Sequence, residues 1–191
     1  MTSEVDGLEW LSDAYADGFA VVFVRGVEAR ELLLRLGCPA ESLALLTRED
    51  AEEQELDDED GGHVIRAGTH GGWAFAVQRW GARVLEEDVI PALSSGTELV
   101  ALVKSSLPWF AYAAKGEQVC AFDAGMPHIR HGSDPDRFLT LMGEAGVLRE
   151  TRPEGVRPVD AMLRLAELAF GLSLPRREIE SGELAAGVVE D

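Results

Sequence analysis

Long apolar runs are missing from this chain. No stretch approaches the ~18 consecutive apolar residues that a membrane-spanning helix needs. The opening MTSEVDGLEW is acidic and has no basic region followed by an apolar core, so no secretory leader is expected. Cysteine is nearly absent: Cys38 and Cys120 make no metal or redox spacing, and the expectation is two reduced, buried thiols in a cytoplasmic protein. Basic residues are scarce as well, with 17 Lys and Arg against 35 Asp and Glu and a formal net charge of −18. Binding to a phosphate backbone runs on Lys and Arg displacing counterions, so nucleic acid and anionic membrane are poor partners. The acid excess keeps the chain in solution; in a sharper reading it docks a basic protein.

Catalytic signatures are missing too. There is no G-x-S-x-G elbow, no HExxH, no GxGxxG and no phosphate loop ending in Gly-Lys-Ser/Thr. No cofactor motif is present. The acidic run from Glu49 to Asp60 lacks the central glycine of a calcium loop, because Gly61-Gly62 follow the acids instead of interrupting them. Interrupted only by Ala51, Gln54 and Leu56, that run repels itself and is expected to stay solvated as a loop or helix end.

What is present is a sheet pattern. The chain has 191 residues, 46% of them hydrophobic, enough for one domain with a real core. Phe19 to Val24 (FAVVFV) is apolar throughout and predicts a strand buried on both faces, central in its sheet. Trp73, Phe75 and Val77 alternate with Ala74, Ala76 and Gln78, the period of a half-buried strand. His63 to His70 is expected to pair with that strand through the Gly71-Gly72 turn. Thr97 to Val103 is a further strand. Trp109 to Ala114 and Gln118 to Asp123 flank Lys115-Gly116-Glu117 and predict a hairpin.

Helical spacing fills the rest. Asp6 to Gly18 carries Trp10, Leu11, Ala14 and Tyr15 on one face, and Glu28 to Leu36 carries Leu32, Leu33 and Leu36 with Gly37 as a stop. Pro39 opens a short helix holding Leu43, Leu45 and Leu46. Val84 to Leu93 is a short helix bent at Pro91. Asp134-Pro135 is a helix start, with Asp as N-cap and Pro in the first turn, and the helix buries Phe138, Leu141, Met142 and Ala145 before Gly146. Glu150 to Pro158 is a linker. Val159 to Phe170 is strongly amphipathic, with Met162, Leu165, Ala166 and Ala169 inward and Arg164 and Glu167 outside. Leu174 to Leu184 is a last helix, and the tail from Gly187 is expected to fray.

The residues that point to chemistry gather in one loop. Asp123, His128, Arg130, His131 and Asp134 place two imidazoles among carboxylates. Those are the right types for zinc or non-haem iron if His63 or His70 joins them, or for acid–base work by His131 beside Asp123 or Asp134. The loop is bounded by Gly and Pro, so the i, i+3 spacing of the histidines does not put them on one face, and no metal is assigned. Arg25 is a candidate helper. Trp80 and Trp109 stand at strand ends, where tryptophan anchors interfaces or packs at an edge; Trp73 is expected in the core.

The blocks FVRGVEARELLLRLG, GGWAFAVQRWG, LSSGTELVALV, HGSDPDRFLTLMGEAG and AMLRLAELAFGLSL together resemble an uncharacterised actinobacterial family that carries only an unknown-function label. The resemblance spans Trp10 to Leu174; Arg25-Gly26 and Gly132-Ser133-Asp134-Pro135 are its most distinctive parts. It implies a bacterial cytoplasmic protein and no chemistry.

The expectation is therefore an α+β fold: a largely antiparallel sheet of five to six strands covered by N-terminal and C-terminal helices. Residues 1–150 form the α+β domain, and 151–191 a helical extension packed on it within a single domain. The function expected is non-enzymatic binding of a basic protein, of the immunity or regulatory-adaptor type. The alternative is a small enzyme or small-molecule binder with its site near Asp123–Asp134.

Overall fold

The computed structural model describes residues 6–57 and 62–189. Among them, nine strands form one sheet in the order β2-β9-β3-β4-β1-β5-β6-β7-β8. They are β1 Phe19–Arg25, β2 Ala44–Leu46, β3 His63–His70, β4 Trp73–Gln78, β5 Glu98–Lys104, β6 Trp109–Ala114, β7 Glu117–Asp123, β8 Arg130–His131 and β9 Leu184–Val189. Every pairing is antiparallel. The apolar FAVVFV segment does sit in the middle: β1 lies between β4 and β5, with Phe23 opposite both Phe75 and Val100.

The two faces of the sheet are built from different side chains, because successive residues of a strand point to opposite sides. One face is aromatic: Phe19, Phe23, Trp73, Phe75, Phe110, Tyr112 and Phe122 pack there. It is covered by the helices α1 (Leu11–Ala14), α5 (Leu139–Ala145), α6 (Pro158–Phe170) and α7 (Arg176–Ser181). The other face is rich in alanine, with Ala20, Ala74, Ala76, Ala101, Ala111, Ala113 and Ala121 beside Val22 and Val24. Small side chains let a helix backbone approach closely, and α2 (Ala29–Arg35) and α4 (Val89–Ser94) bring Leu32, Leu33, Leu36, Ile90 and Leu93 down onto them. The result is three layers, helices on both sides of one sheet. No helix of the described residues is long and apolar enough to cross a membrane.

The sheet is wider than the five to six strands expected, and the additions have a common cause. β2, β8 and β9 carry no pattern of their own and form because neighbours offer them a partner. The segment expected as a helix with Leu43, Leu45 and Leu46 is one 3₁₀ turn (Ala40–Ser42) followed by β2. The stretch expected as helix Leu174–Leu184 with a frayed tail from Gly187 is α7 followed by β9, inserted between β2 and β3; residues 190–191 of that tail lie outside the described residues. Gly187 makes that insertion possible: a Cβ there would lie 2.6 Å from the Cys38 Cβ and 2.9 Å from Leu43 Cδ2. The two edges are β2 and β8, both very short, which limits unwanted strand addition.

Three helices also depart from expectation. The N-terminal one is a single turn. The one after Asp134-Pro135 starts at Leu139 instead, because the preceding segment is tied to β7: the N–H of Ser133 donates to Gln118 O at 3.1 Å and that of Asp134 to Val119 O at 2.9 Å. The acidic run is a regular helix, α3 (Arg48–Asp57); its remainder, residues 58–60, lies outside the described residues. α3 lies over the β2-β9-β3 end of the sheet, where Ala51 packs with Val64, Ala186 and Leu46.

Candidate functional site

The residues singled out in the sequence do not assemble into one site. Arg25 closes β1 at the end of the strands where Trp73 and Glu98 begin β4 and β5; Trp109 and Asp123 pair with each other at the opposite end of the strands. In the Asp123–Asp134 loop the polar groups mostly serve the loop itself. Asp123 Oδ1 accepts the Gly125 N–H at 2.6 Å. Arg130 donates to Asp136 Oδ1 at 3.0 and 2.6 Å and to the Pro127 carbonyl at 2.6 Å. Asp134 meets Arg137 at 3.6 Å. His128 and His131 are exposed. Among the described residues no three His, Cys, Asp or Glu side chains come together in a way that would hold a metal ion.

Arg25 instead joins a polar rim over the aromatic face. Its guanidinium lies 5.2 Å from the Trp73 ring and 3.0 Å from Glu98, whose other oxygen accepts the Tyr112 hydroxyl at 3.1 Å. Arg137 stands over the Tyr112 ring at 5.6 Å. Beneath them Tyr112, Phe138 and Phe170 pack ring to ring. Trp80 is half-buried under Arg79 at 4.7 Å, and Trp109 packs at the margin of the alanine face. A cleft of about 320 Å³ between α1 and α6 is lined in part by polar side chains paired with one another. There Ser12 donates to Asp160 at 2.8 Å, and Arg157 donates to Ser12 at 2.7 Å and to Asp160 at 2.7 and 2.9 Å.

The densest buried chemistry lies under α3. Arg48 donates from Nε to Glu52 at 2.7 Å and from Nη2 to the Ala14 carbonyl at 3.0 Å, with its guanidinium 4.4 Å from the Tyr15 ring. Arg79 meets the other Glu52 oxygen at 2.5 Å. Arg66, 5% exposed in the middle of β3, donates to the carbonyls of Leu46, Ile179 and Gly182 at 3.2, 2.9 and 2.8 Å. Glu55, with only 4% of its side chain exposed, accepts the Val64 N–H at 2.8 Å and lies 3.6 Å from His63. The acidic run is thus two-sided: Glu52 and Glu55 turn inward, three apart on one helix face, while Glu49, Glu53 and Asp57 stay exposed.

Burial sets the proton affinities here. It pushes the Tyr15 phenol up, only partly opposed by Arg48 and Arg66. It also pushes Glu55 up, against the pull of the Val64 N–H and of His63. For Glu52 burial acts upward, but the hydrogen bonds from Arg48 and Arg79 together outweigh it and hold the carboxyl below its usual range. Sequence reasoning missed this cluster because its members come from α3, β3 and the residues just after α1 and β4. One signal was there: Arg66 is a lone charge inside the apolar centre of HVIRAGTH, and a buried arginine needs acceptors.

A family model described as a family of unknown function (DUF6461) matches residues 2–191, so the chain belongs to that family. No curated protein and no solved structure matches the chain.

Proposed function

We propose that this member of a family of unknown function is a non-enzymatic, cytoplasmic binding protein that works through contacts with a basic protein partner, of the immunity or regulatory-adaptor type. The observation that supports it most is how the cations are used. Of the few basic residues, Arg35, Arg48, Arg79, Arg83, Arg130, Arg157 and Arg176 pair with acids of their own chain. Arg66, Lys104 and Arg152 donate to backbone carbonyls. Few unpaired cations interrupt the surface of a chain whose formal net charge is −18. Exposed acids such as Glu49, Glu53 and Asp57 along the outside of α3 have no basic partner among the described residues. A field of this sign steers a basic partner and disfavours nucleic acid.

The test is capture of partners from host lysate at low and moderate salt, with the wild type and with Glu49→Lys/Glu53→Lys/Asp57→Lys. A partner that is lost both with salt and on charge reversal supports the reading. No partner at either salt, or one held regardless of salt, removes it.

A further inference from the structure

Nine large apolar side chains stay exposed among the described residues, and three of them come from one end of the sheet. Leu107 is 58% exposed, Met126 41% and Ile129 52%. They belong to two loops, the one before β6 and the one between β7 and β8, at the end of the strands where Trp109 meets Asp123. The backbone ties these loops together. The Ala124 N–H donates to Pro108 O at 2.7 Å, that of Met126 to Asp123 O at 3.0 Å and that of Ile129 to Met126 O at 3.0 Å. Phe122 stands opposite Arg130, so one step further along the antiparallel register sets Ile129 beside Asp123. Trp109, Asp123 and Ile129 thus form a row across the margin of the sheet.

Charge sets this flank apart. Residues 99–143 build β6, β7, β8 and most of β5 and α5. They hold four cations, Lys104, Lys115, Arg130 and Arg137, against four acids, Glu117, Asp123, Asp134 and Asp136. The whole formal charge of −18 therefore lies on the rest of the chain. Acids near the patch are also engaged: Asp123 accepts the Gly125 N–H, Asp136 pairs with Arg130 and Asp134 with Arg137. The other edge of the sheet is the reverse. There β2 lies beside α3, which keeps Glu49, Glu53 and Asp57 exposed.

A neutral apolar patch has nothing to attract a basic partner, which the acidic surface elsewhere does. It suits a second copy of the chain. Two copies repel wherever acidic surface meets acidic surface, and a flank without net charge lets them close without that opposition. A two-fold axis brings the same patch face to face with itself. We infer that the chain pairs with a second copy through the β8 flank, with Leu107, Met126 and Ile129 of each protomer at the centre of the contact. β8 is two residues long, so side chains make this contact and the sheet is not extended by it. The apolar core is small beside the roughly 20–30 residues a side of a stable interface, so the dimer is weak and depends on concentration.

Sedimentation equilibrium of the full chain from about 1 to about 300 µM, at low and high sodium chloride, is the test. A monomer–dimer equilibrium is expected, and salt is expected to strengthen it by screening the repulsion between the acidic bodies. Salt weakens the capture of a basic partner, so the two readings fail independently. Met126→Glu/Ile129→Glu is expected to weaken dimerisation at least ~100-fold, because each substitution is met twice across the axis. The charge-matched Leu45→Glu/Leu56→Glu, exposed on β2 and α3, is expected to leave it within about threefold of the wild type. A monomer at every concentration and salt, a dimer that the first variant retains, or one that the second loses, overturns the inference. If the first variant does not fold, hydrogen exchange of the wild type decides. Residues 105–109 and 124–131 are expected to exchange more slowly in concentrated than in dilute protein. Protection confined to other segments, or none, overturns it.

Discussion

Arg66 on β3 donates to the carbonyl of Ile179 on α7 at 2.9 Å, across 113 residues of chain. The same guanidinium also holds Leu46 O and Gly182 O, so one buried cation ties β2, β3 and the C-terminal helix together. Burial lowers its pKa from the ordinary arginine value. Arg66→Met keeps the length and apolar stem but leaves three carbonyls without their donor. The expected loss of stability is roughly 2–5 kcal/mol, read from urea unfolding. A change under about 0.5 kcal/mol would show that water replaces the guanidinium without penalty.

Glu55 gives a pH signature. Burial raises its folded-state pKa above the unfolded value, against the Val64 N–H and His63. A raised carboxyl contributes stability that is fully present below the unfolded pKa and is lost as pH rises through the folded one. Charged Glu55 therefore weakens the fold at neutral pH relative to its neutral form. Glu55→Gln keeps an acceptor for Val64 and carries no charge. It is expected to be more stable than the wild type at pH 7, with the difference shrinking as pH falls toward about 4. Unfolding curves at both pH values measure this; a variant less stable at pH 7 contradicts it.

The two thiols are expected to be inert. Cys38 and Cys120 are free and buried, and burial pushes each pKa up to about 11. The thiolate is the reactive species, so at pH 8 neither is expected to be modified by a soluble disulfide reagent in the native state, and both in denaturant. Rapid labelling of the folded protein would mean that β7 or the α2–β2 connection opens readily.

Gly187 is expected to be intolerant of a side chain. A Cβ would sit 2.6 Å from the Cys38 Cβ and 2.8 Å from its Sγ, at the alanine-face core. Gly187→Ala is expected to cost about 1–3 kcal/mol. Gly187→Ala with Cys38→Ala is expected to recover part of that, because the Sγ contact is removed. No recovery in thermal melts of the double variant would place the strain elsewhere.

The elements that announced themselves in the sequence are those whose burial is encoded locally. FAVVFV is apolar at every position because β1 is covered on both faces, and the alternation of WAFAVQ divides aromatic from alanine face. The stripe of α6 is similarly plain, apart from Glu167: its carboxylate accepts the Leu8 N–H and so caps the N-terminal turn instead of facing solvent. The elements that stayed hidden are those whose conformation is lent by a neighbour. LAAGVV is a strand because β2 and β3 supply hydrogen-bond partners on both sides. Pro135 does not open a helix because β7 has already taken the N–H groups of Ser133 and Asp134.

The sequence by itself determined the acid excess, the central strand, the two hairpins and the amphipathic C-terminal helix, since charge count and short-range periodicity need no knowledge of what lies opposite. Only the tertiary structure decided that Leu184–Val189 is an interior strand and that Arg25 and Asp123 stand at opposite ends of the strands. It alone turned half of an acidic helix inward onto Arg48, Arg79 and Tyr15. A buried charge is tolerated only where partners from distant segments meet it, and that meeting is a property of the fold, not of any stretch of chain.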